Sequence, residues 1–340
     1  MTVIPRLEYI FFLQHELKKV ISEVCQGVDN YALIDFPDHS NVGDSAIYSG
    51  EMALLRKVLG KPPAFVSKLK NHINDIERFE KVDTIFMHGG GNFGSTWPKH
   101  QNQREQIIAR YPSRKIIQLP QTVHFERAEE LESCAALVNQ HPDFTLLVRD
   151  HHSFEVADSA FTCLMKLCPD AAMALGPMTR TAGTVHPVLS LLRVDHESRR
   201  SNEDLKTLLR HGPVEDWVDE AAFKHLPGIV LDKTVHMLGP LRTAAMPVLS
   251  RYYENWAMAR INRGRAHLSS AGYIVTDRLH VHILAVLLGI KHVVLDNNHG
   301  KISEYVKCWG LPDGAEFANT IEKAVTCIEN FAFEDKMNGP

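Results

Sequence analysis

Arg278, His280 and His282 open an otherwise apolar helical run in the stretch TDRLHVHILAVLLGIKHVVLDNNHGK (276–301). Cations in the first turn of a helix oppose its dipole, while the same helix start offers unpaired N–H groups to an anion. The combination therefore reads as an anion site; a purely structural head is the alternative. His280 and His282 are two residues apart, about 200° around a helix, so they do not share a metal and the spacing is not HExxH. Thr276 or Asp277 is the expected cap and Gly289 the end of this helix. Asn297, Asn298 and Lys301 stand after the next β-branched run, beside Arg278 if the two strands are neighbours. Lys301 is then a second cation for the same anion, or a solvated lysine.

Four earlier strand-to-helix junctions carry further candidates. In YALIDFPDHSNVGDSAIY, Gly43 lets backbone approach a ligand, and Asp44 either caps the helix or joins Asn41 in hydrogen-bonding sugar hydroxyls. In TIFMHGGGNFGSTWP, Gly89, Gly90 and Gly91 allow a sharp turn with outward N–H groups, and Asn92 and Trp97 offer polar and stacking contacts. This run is neither a GxGxxG fingerprint nor a Walker loop, which argues against dinucleotide or ATP binding; a turn alone is the plainer reading. In KIIQLPQTVHF, Gln118 and Gln121 sit in an apolar strand and demand partners if buried. In TLLVRDHHS, Arg149 ends a strand, pointing to a cleft or pairing with Asp150 or another local acid.

The elements that must position these residues alternate. Strands are expected at 31–36, 84–89, 115–120, 145–150, 188–195, 273–277 and 292–296, with helices at 46–59, 98–110, 128–139 and 241–267. Such alternation implies parallel sheets with right-handed crossovers, and ligands beyond the carboxyl ends of the strands. The chain's 340 residues suit about two domains. The expected fold is α/β: two Rossmann-like domains facing across a cleft, 1–180 and 181–340, rather than one large sheet. The first carries the glycine loop and the second the RLH head, with the last helix able to pack back on the first domain. The N-terminal segment reads as an amphipathic helix burying Leu7, Ile10, Phe11, Leu17, Val20 and Ile21.

Composition narrows the class. The chain is 44% apolar and 23% charged, with a net charge of −4 that disfavours nucleic-acid binding. No apolar run reaches the roughly 18 residues of a membrane span, and the N-terminus lacks signal-peptide features. Six scattered cysteines without a CxxC pair imply buried thiols in a reducing compartment, and no ligand cluster implies a metal. A cytoplasmic protein is expected.

Eight stretches in order resemble the polysaccharide pyruvyl transferase family: NVGDSAI (41–47), MHGGGNFG (87–94), IIQLPQTVHF (116–125), LLVRD (146–150), CPDAAMALG (168–176), LLRVDHE (191–197), TDRLHVHILAVLLGI (276–290) and VVLDNNHGKISEY (293–305). The resemblance implies a GT-B-like fold and transfer of the carboxyvinyl group of phosphoenolpyruvate to a sugar of a bacterial exopolysaccharide or its repeat unit, closed to a ketal with release of phosphate. Phosphoenolpyruvate is then a co-substrate and no cofactor is needed. The acceptor is free or lipid-linked; the second places the protein at the inner membrane face. By resemblance, Arg278 and His280 match the donor-site RLH, and Arg149 and Asp44 the cleft arginine and aspartate. His280 and Asp44 are the expected catalytic pair. Arg278, Arg149 and Lys301 are expected to bind the donor, and Asn41, Gly43, Gly90, Gly91, Asn92, Gln121 and Asn297 to line the acceptor or cleft loops. Val281 and Ser95 depart from the family pattern, which often has Gly and Asp there; the second bears on sugar specificity. Rival readings are a GT-B glycosyltransferase using a nucleotide sugar, for which Glu304 is the nearest carboxylate, and a catalytically silent sugar- or phosphate-binding protein.

Overall fold

The computed structural model describes residues 4–69, 82–181, 183–193, 201–217, 226–238, 241–296 and 300–338. Its strands form two separate sheets in which every ladder is parallel. The first contains β1 (Tyr31–Phe36), β2 (Phe65–Lys68), β3 (Thr84–Met87), β4 (Gly90–Gly94), β5 (Lys115–His124), β6 (Phe144–Val148) and β7 (Leu164–Leu167). Its order is β2-β1-β3-β5-β6-β7, with β4 beside β5. The second contains β8 (His186–Leu191), β9 (Val214–Glu215), β10 (Ala271–Thr276), β11 (His292–Leu295) and β12 (Ala315–Ala318), in the order β12-β11-β10-β8-β9. Two sheets, not one, therefore carry the chain.

Eleven α-helices occur among the described residues: α1 (Arg6–Val24), α2 (Val42–Leu59), α3 (Pro98–Arg110), α4 (Ala128–Gln140), α5 (His151–Asp158), α6 (Asn202–Leu209), α7 (Leu226–Met237), α8 (Arg242–Ser269), α9 (Leu279–Leu288), α10 (Lys301–Trp309) and α11 (Ile321–Asn338). A short 3₁₀ turn, Ala171–Leu175, follows β7. The long apolar strands behave as buried parallel strands should: β1, β3 and β6 are buried along their whole length. None of the described helices is long and apolar enough to cross a membrane.

The units are not contiguous in sequence. The larger comprises His15–Ala174 and Asp219–Ala259; the smaller comprises Met1–Gln14, Leu175–Val218 and Arg260–Pro340. A single cut near residue 180 thus misses the excursion of 219–259. Its reason is apolar: Val235, Met246, Leu249, Tyr253 and Ala257 join the core of the first sheet, and Tyr253 stacks on Phe36 at 4.2 Å between ring centres. The last helix packs within the smaller unit. Ile321, Ala324, Ile328 and Phe331 of α11 share a core with Val293 and Leu295 of β11.

Smaller corrections concern the helix starts. Residue 42, not 46, begins α2, because Asn41 caps it by accepting a hydrogen bond from Gly43 N. In α1 the buried stripe is Tyr9, Ile10, Leu13, Leu17, Val20, Ile21 and Val24, while Leu7 and Phe11 are exposed. That set follows the three-and-four spacing of one helix face more closely than the expected one. Asn297, Asn298 and the end of the LLRVDHE stretch (194–197) lie outside the described residues.

Candidate active site

The polar residues singled out by sequence fall at the carboxyl edges of both sheets. In the larger unit, Asn41 uses its amide oxygen to cap α2 and donates from Nδ2 to Asp44 at 2.9 Å. Asp44 is therefore not the helix cap; it is a partly exposed first-turn carboxylate with His39 3.6 Å away. Gly43 lies inside the first turn of α2. Gly90 has φ +118°, a conformation that side chains rarely adopt, and a β-carbon there would lie 3.3 Å from Ile47 Cδ1 and 3.8 Å from Asp44 Oδ1. The glycine loop thus runs against Asp44, and Gly91 follows it in β4.

Gln118 and Gln121, odd in an apolar strand, are both fully buried, and both are satisfied. Gln118 donates to the carbonyls of Met87, His88 and Leu119; Gln121 donates to His88 O and accepts from Asn92 N at 3.0 Å. They tie β5 to the turn that leaves β3. Arg149, after β6, is 3% exposed and donates from Nη1 to Asp170 Oδ2 at 2.7 Å and from Nε to Thr122 Oγ1 at 2.8 Å. Its acid is Asp170, not Asp150, which instead caps α5.

Three features of this edge carried no readable sequence signal beyond residue type. Glu51 and His88 meet at 2.7 Å with both side chains buried, and Glu51 also accepts from Gly89 N at 2.7 Å. Burial opposes the His88 charge, but Glu51 and the nearby Asp35 and Asp44 outweigh it and raise the imidazole to about 9. Asp35 is the one non-glycine residue with positive φ among those described, and His100 Nδ1 donates to its Oδ2 at 2.7 Å. Backbone strain of that kind costs about 1–3 kcal/mol and clusters at functional sites. The third is Arg104, a buried guanidinium on α3 beneath the glycine loop.

In the smaller unit, β10 and β11 are parallel neighbours, so their carboxyl ends lie side by side at one edge. Arg278 occupies the cap position of α9, and no side chain caps that helix start. Thr276 Oγ1 accepts from Arg278 N at 3.0 Å, and the buried Asp277 accepts from Arg193 N at 2.8 Å, so neither performs the capping expected of them. Arg278 pairs through Nη2 with Asp216. His280 is a partly exposed residue of the first turn of α9, and Gly289 ends the helix as expected. Lys301 is not a solvated lysine: it is the first residue of α10 and is buried.

His282 belongs to the core. Its Nδ1 lies 2.7 Å from His292 Nε2, and His292 Nδ1 donates to Ile290 O at 2.8 Å. The carbonyl obliges His292 to carry its proton on Nδ1, so His282 is the donor of the pair. Burial keeps both rings neutral, with His292 lowered to about 4. No group of three metal-ligating side chains occurs among the described residues. None of the six cysteines is in a disulfide, and four of them are buried.

An α/β protein with two parallel sheets and polar residues gathered at their carboxyl edges is the class this architecture defines. The family model for polysaccharide pyruvyl transferases matches residues 41–299, and the chain belongs to that family. Pyruvyl transferase 1 of Schizosaccharomyces pombe (strain 972 / ATCC 24843) is 36% identical over 321 residues, spanning 89% of this chain and 76% of the relative. EpsO of Bacillus subtilis (strain 168) is 28% identical over 286 residues, spanning 82% and 85%. Protein KP1_0663 of Klebsiella pneumoniae subsp. pneumoniae NTUH-K2044 has a similar fold, with a TM-score of 0.57 at 16% identity over 91% of this chain and 99% of that one. Membership supports pyruvyl transfer as the class of reaction.

Proposed function

We propose that the protein transfers the carboxyvinyl group of phosphoenolpyruvate to a saccharide of an exopolysaccharide or its repeat unit, forming a pyruvate ketal and releasing phosphate. The observation that carries this reading is the start of α9, which no side chain caps and where Arg278 and His280 stand together, in a chain of this family. An anion with about three charges needs such donors, and the reading gives Arg278, Arg149 and Lys301 to its phosphate and carboxylate. Arg149 already holds Asp170, so its part includes fixing the edge of the first sheet.

The chemistry balances without a cofactor. A proton added to the methylene carbon of the enol makes the neighbouring carbon electrophilic, and one sugar hydroxyl adds there and loses its proton. The second hydroxyl then displaces phosphate, which leaves with the remaining proton. His280 supplies the proton to carbon in this scheme, and Asp44 orients or deprotonates the attacking hydroxyl. Asn41, Gly43, Gly90, Gly91, Asn92, Gln121 and Asn297 belong to the acceptor or cleft loops. The reading also expects a GT-B-like pair of domains and a cytoplasmic protein, at the inner membrane face if the acceptor is lipid-linked.

The test is phosphate release from phosphoenolpyruvate with and without a panel of bacterial oligosaccharides, for the wild type and His280→Ala. Acceptor-dependent release that His280→Ala abolishes is the expected result. Failure to bind phosphoenolpyruvate, with binding of a uridine diphosphate sugar, overturns the reading in favour of a glycosyltransferase.

A further inference from the structure

Arg104 is a buried cation with no carboxylate on its guanidinium among the described residues. Nε donates to Gln118 Oε1 at 2.7 Å, Nη1 to Gln101 Oε1 at 2.7 Å, and Nη2 to Asn92 Oδ1 at 2.7 Å. The plane lies over the Phe93 ring, 4.3 Å from its centre. With only neutral hydrogen-bond partners among the described residues, burial outweighs the more distant Asp35 and Glu105 and lowers the guanidinium to about 10, still charged at neutral pH. Removing such a charge from water is costly, yet the fold places it directly beneath the glycine loop.

The consequence falls on Asn92. A guanidinium only donates, so the Asn92 atom facing Nη2 is its oxygen, and the ambiguity that normally attends an amide disappears. Gln121 Nε2 donates to the same oxygen at 2.8 Å. Gln121 is itself oriented, because its oxygen accepts from Asn92 N at 3.0 Å and its nitrogen reaches His88 O at 3.0 Å. Asn92 is half-buried, and its Nδ2 has no hydrogen-bond partner among the described residues. Two donors on its oxygen, one of them cationic, polarise the amide and strengthen the N–H groups left over.

We propose that Arg104 is a positioning residue that locks Asn92 as a donor, so that the glycine loop reads an oxygen lone pair on the acceptor saccharide. This rests on the acceptor-loop reading above and adds the polarity of the contact and the residue that sets it. Asn92→Asp separates this role from a structural one, because it hands Arg104 a carboxylate while removing the donor.

The experiment titrates methyl glucoside, galactoside and mannoside, and separately phosphoenolpyruvate, into the full-length chain by NMR. Asn92→Asp is expected to weaken hexoside binding at least tenfold, change phosphoenolpyruvate binding less than twofold, and leave the melting temperature unchanged or higher. Arg104→Met is expected to weaken hexoside binding in the wild-type background and to add nothing in Asn92→Asp. Hexoside affinity within twofold of wild type in Asn92→Asp overturns the proposal, as does a wild type that binds none of the three. If phosphoenolpyruvate fails to bind while the hexoside losses appear, this proposal stands and the donor reading falls.

Discussion

Glu51, halfway along α2, and His88, the residue after β3, form a buried pair 2.7 Å apart that also holds the first amide of the glycine run. The pair has a pH signature. Its imidazole is raised from 6.5 to about 9, above the unfolded value, so its contribution is complete below about pH 6.5 and is lost as pH rises through 9. Burial also raises the Glu51 carboxyl, which acts in the same direction. Melting temperature should therefore fall between pH 7 and 9.5, and His88→Gln should flatten that fall. An unchanged slope in His88→Gln counts against the pair as its source.

The His282–His292 pair predicts the opposite limb. Both rings are held below 6.5, so their contribution is complete above that pH and disappears as pH falls toward about 4. His282 lies two residues after His280, so acid should loosen the α9 start that carries Arg278. Amide protection factors in residues 278–283, exchange rates taken relative to the intrinsic rate at each pH, should fall from pH 6.5 to 4. A His282→Phe variant showing the same loss of protection would exclude the pair as its cause.

At the α9 start the two proposed roles separate kinetically. Loss of a general acid–base group costs about 10²–10⁴-fold, so His280→Ala should lower kcat by that order with little change in donor KM. Arg278→Ala should raise donor KM roughly 10–100-fold, the equivalent of one charge-assisted contact of about 1.5–3 kcal/mol. Equal effects of both variants on KM alone would contradict the division.

Arg149 and Asp170 are both nearly inaccessible and bonded to each other at 2.7 Å. Breaking a buried pair by removing one partner costs about 3–5 kcal/mol. Asp170→Ala should lose that much in urea unfolding, whereas Arg149→Met with Asp170→Leu should lose much less. A loss under 1 kcal/mol for Asp170→Ala would mean that water reaches the arginine.

Gly90→Ala tests the loop itself. Its φ of +118° penalises any β-carbon, and Ile47 Cδ1 stands 3.3 Å away. A destabilisation of about 1–3 kcal/mol is expected, together with impaired acceptor turnover because Asp44 borders the same position. Full activity and stability would show that the turn tolerates another backbone path.

Residue order was enough to read the alternating strands and helices, the parallel pairing, and the placement of Asp44, the glycine run, Arg149 and Arg278 at strand ends. Those features depend on local period, since a buried parallel strand and its crossover helix each leave a short-range pattern. The short strands β2, β4, β7, β9 and β12 left too few residues to show one. Glycine also obscured β4, which gains its place only by pairing with β5.

Partner choice was decided by tertiary structure. That Arg149 takes Asp170 rather than Asp150, that Arg278 takes Asp216, and that Glu51 waits for His88 are choices between residues far apart or equally near in sequence. Each depends on which strands stack side by side and which carboxylate is left dry beside a cation. The excursion of 219–259 to the larger unit has the same origin, because Tyr253 finds its stacking surface on Phe36. The chain alone determined which residues could do chemistry and at which strand ends they stand. Only the packed fold decided which of them are held as ion pairs, which are buried neutral, and which face outward, because those states are set by distance and desolvation and not by residue order.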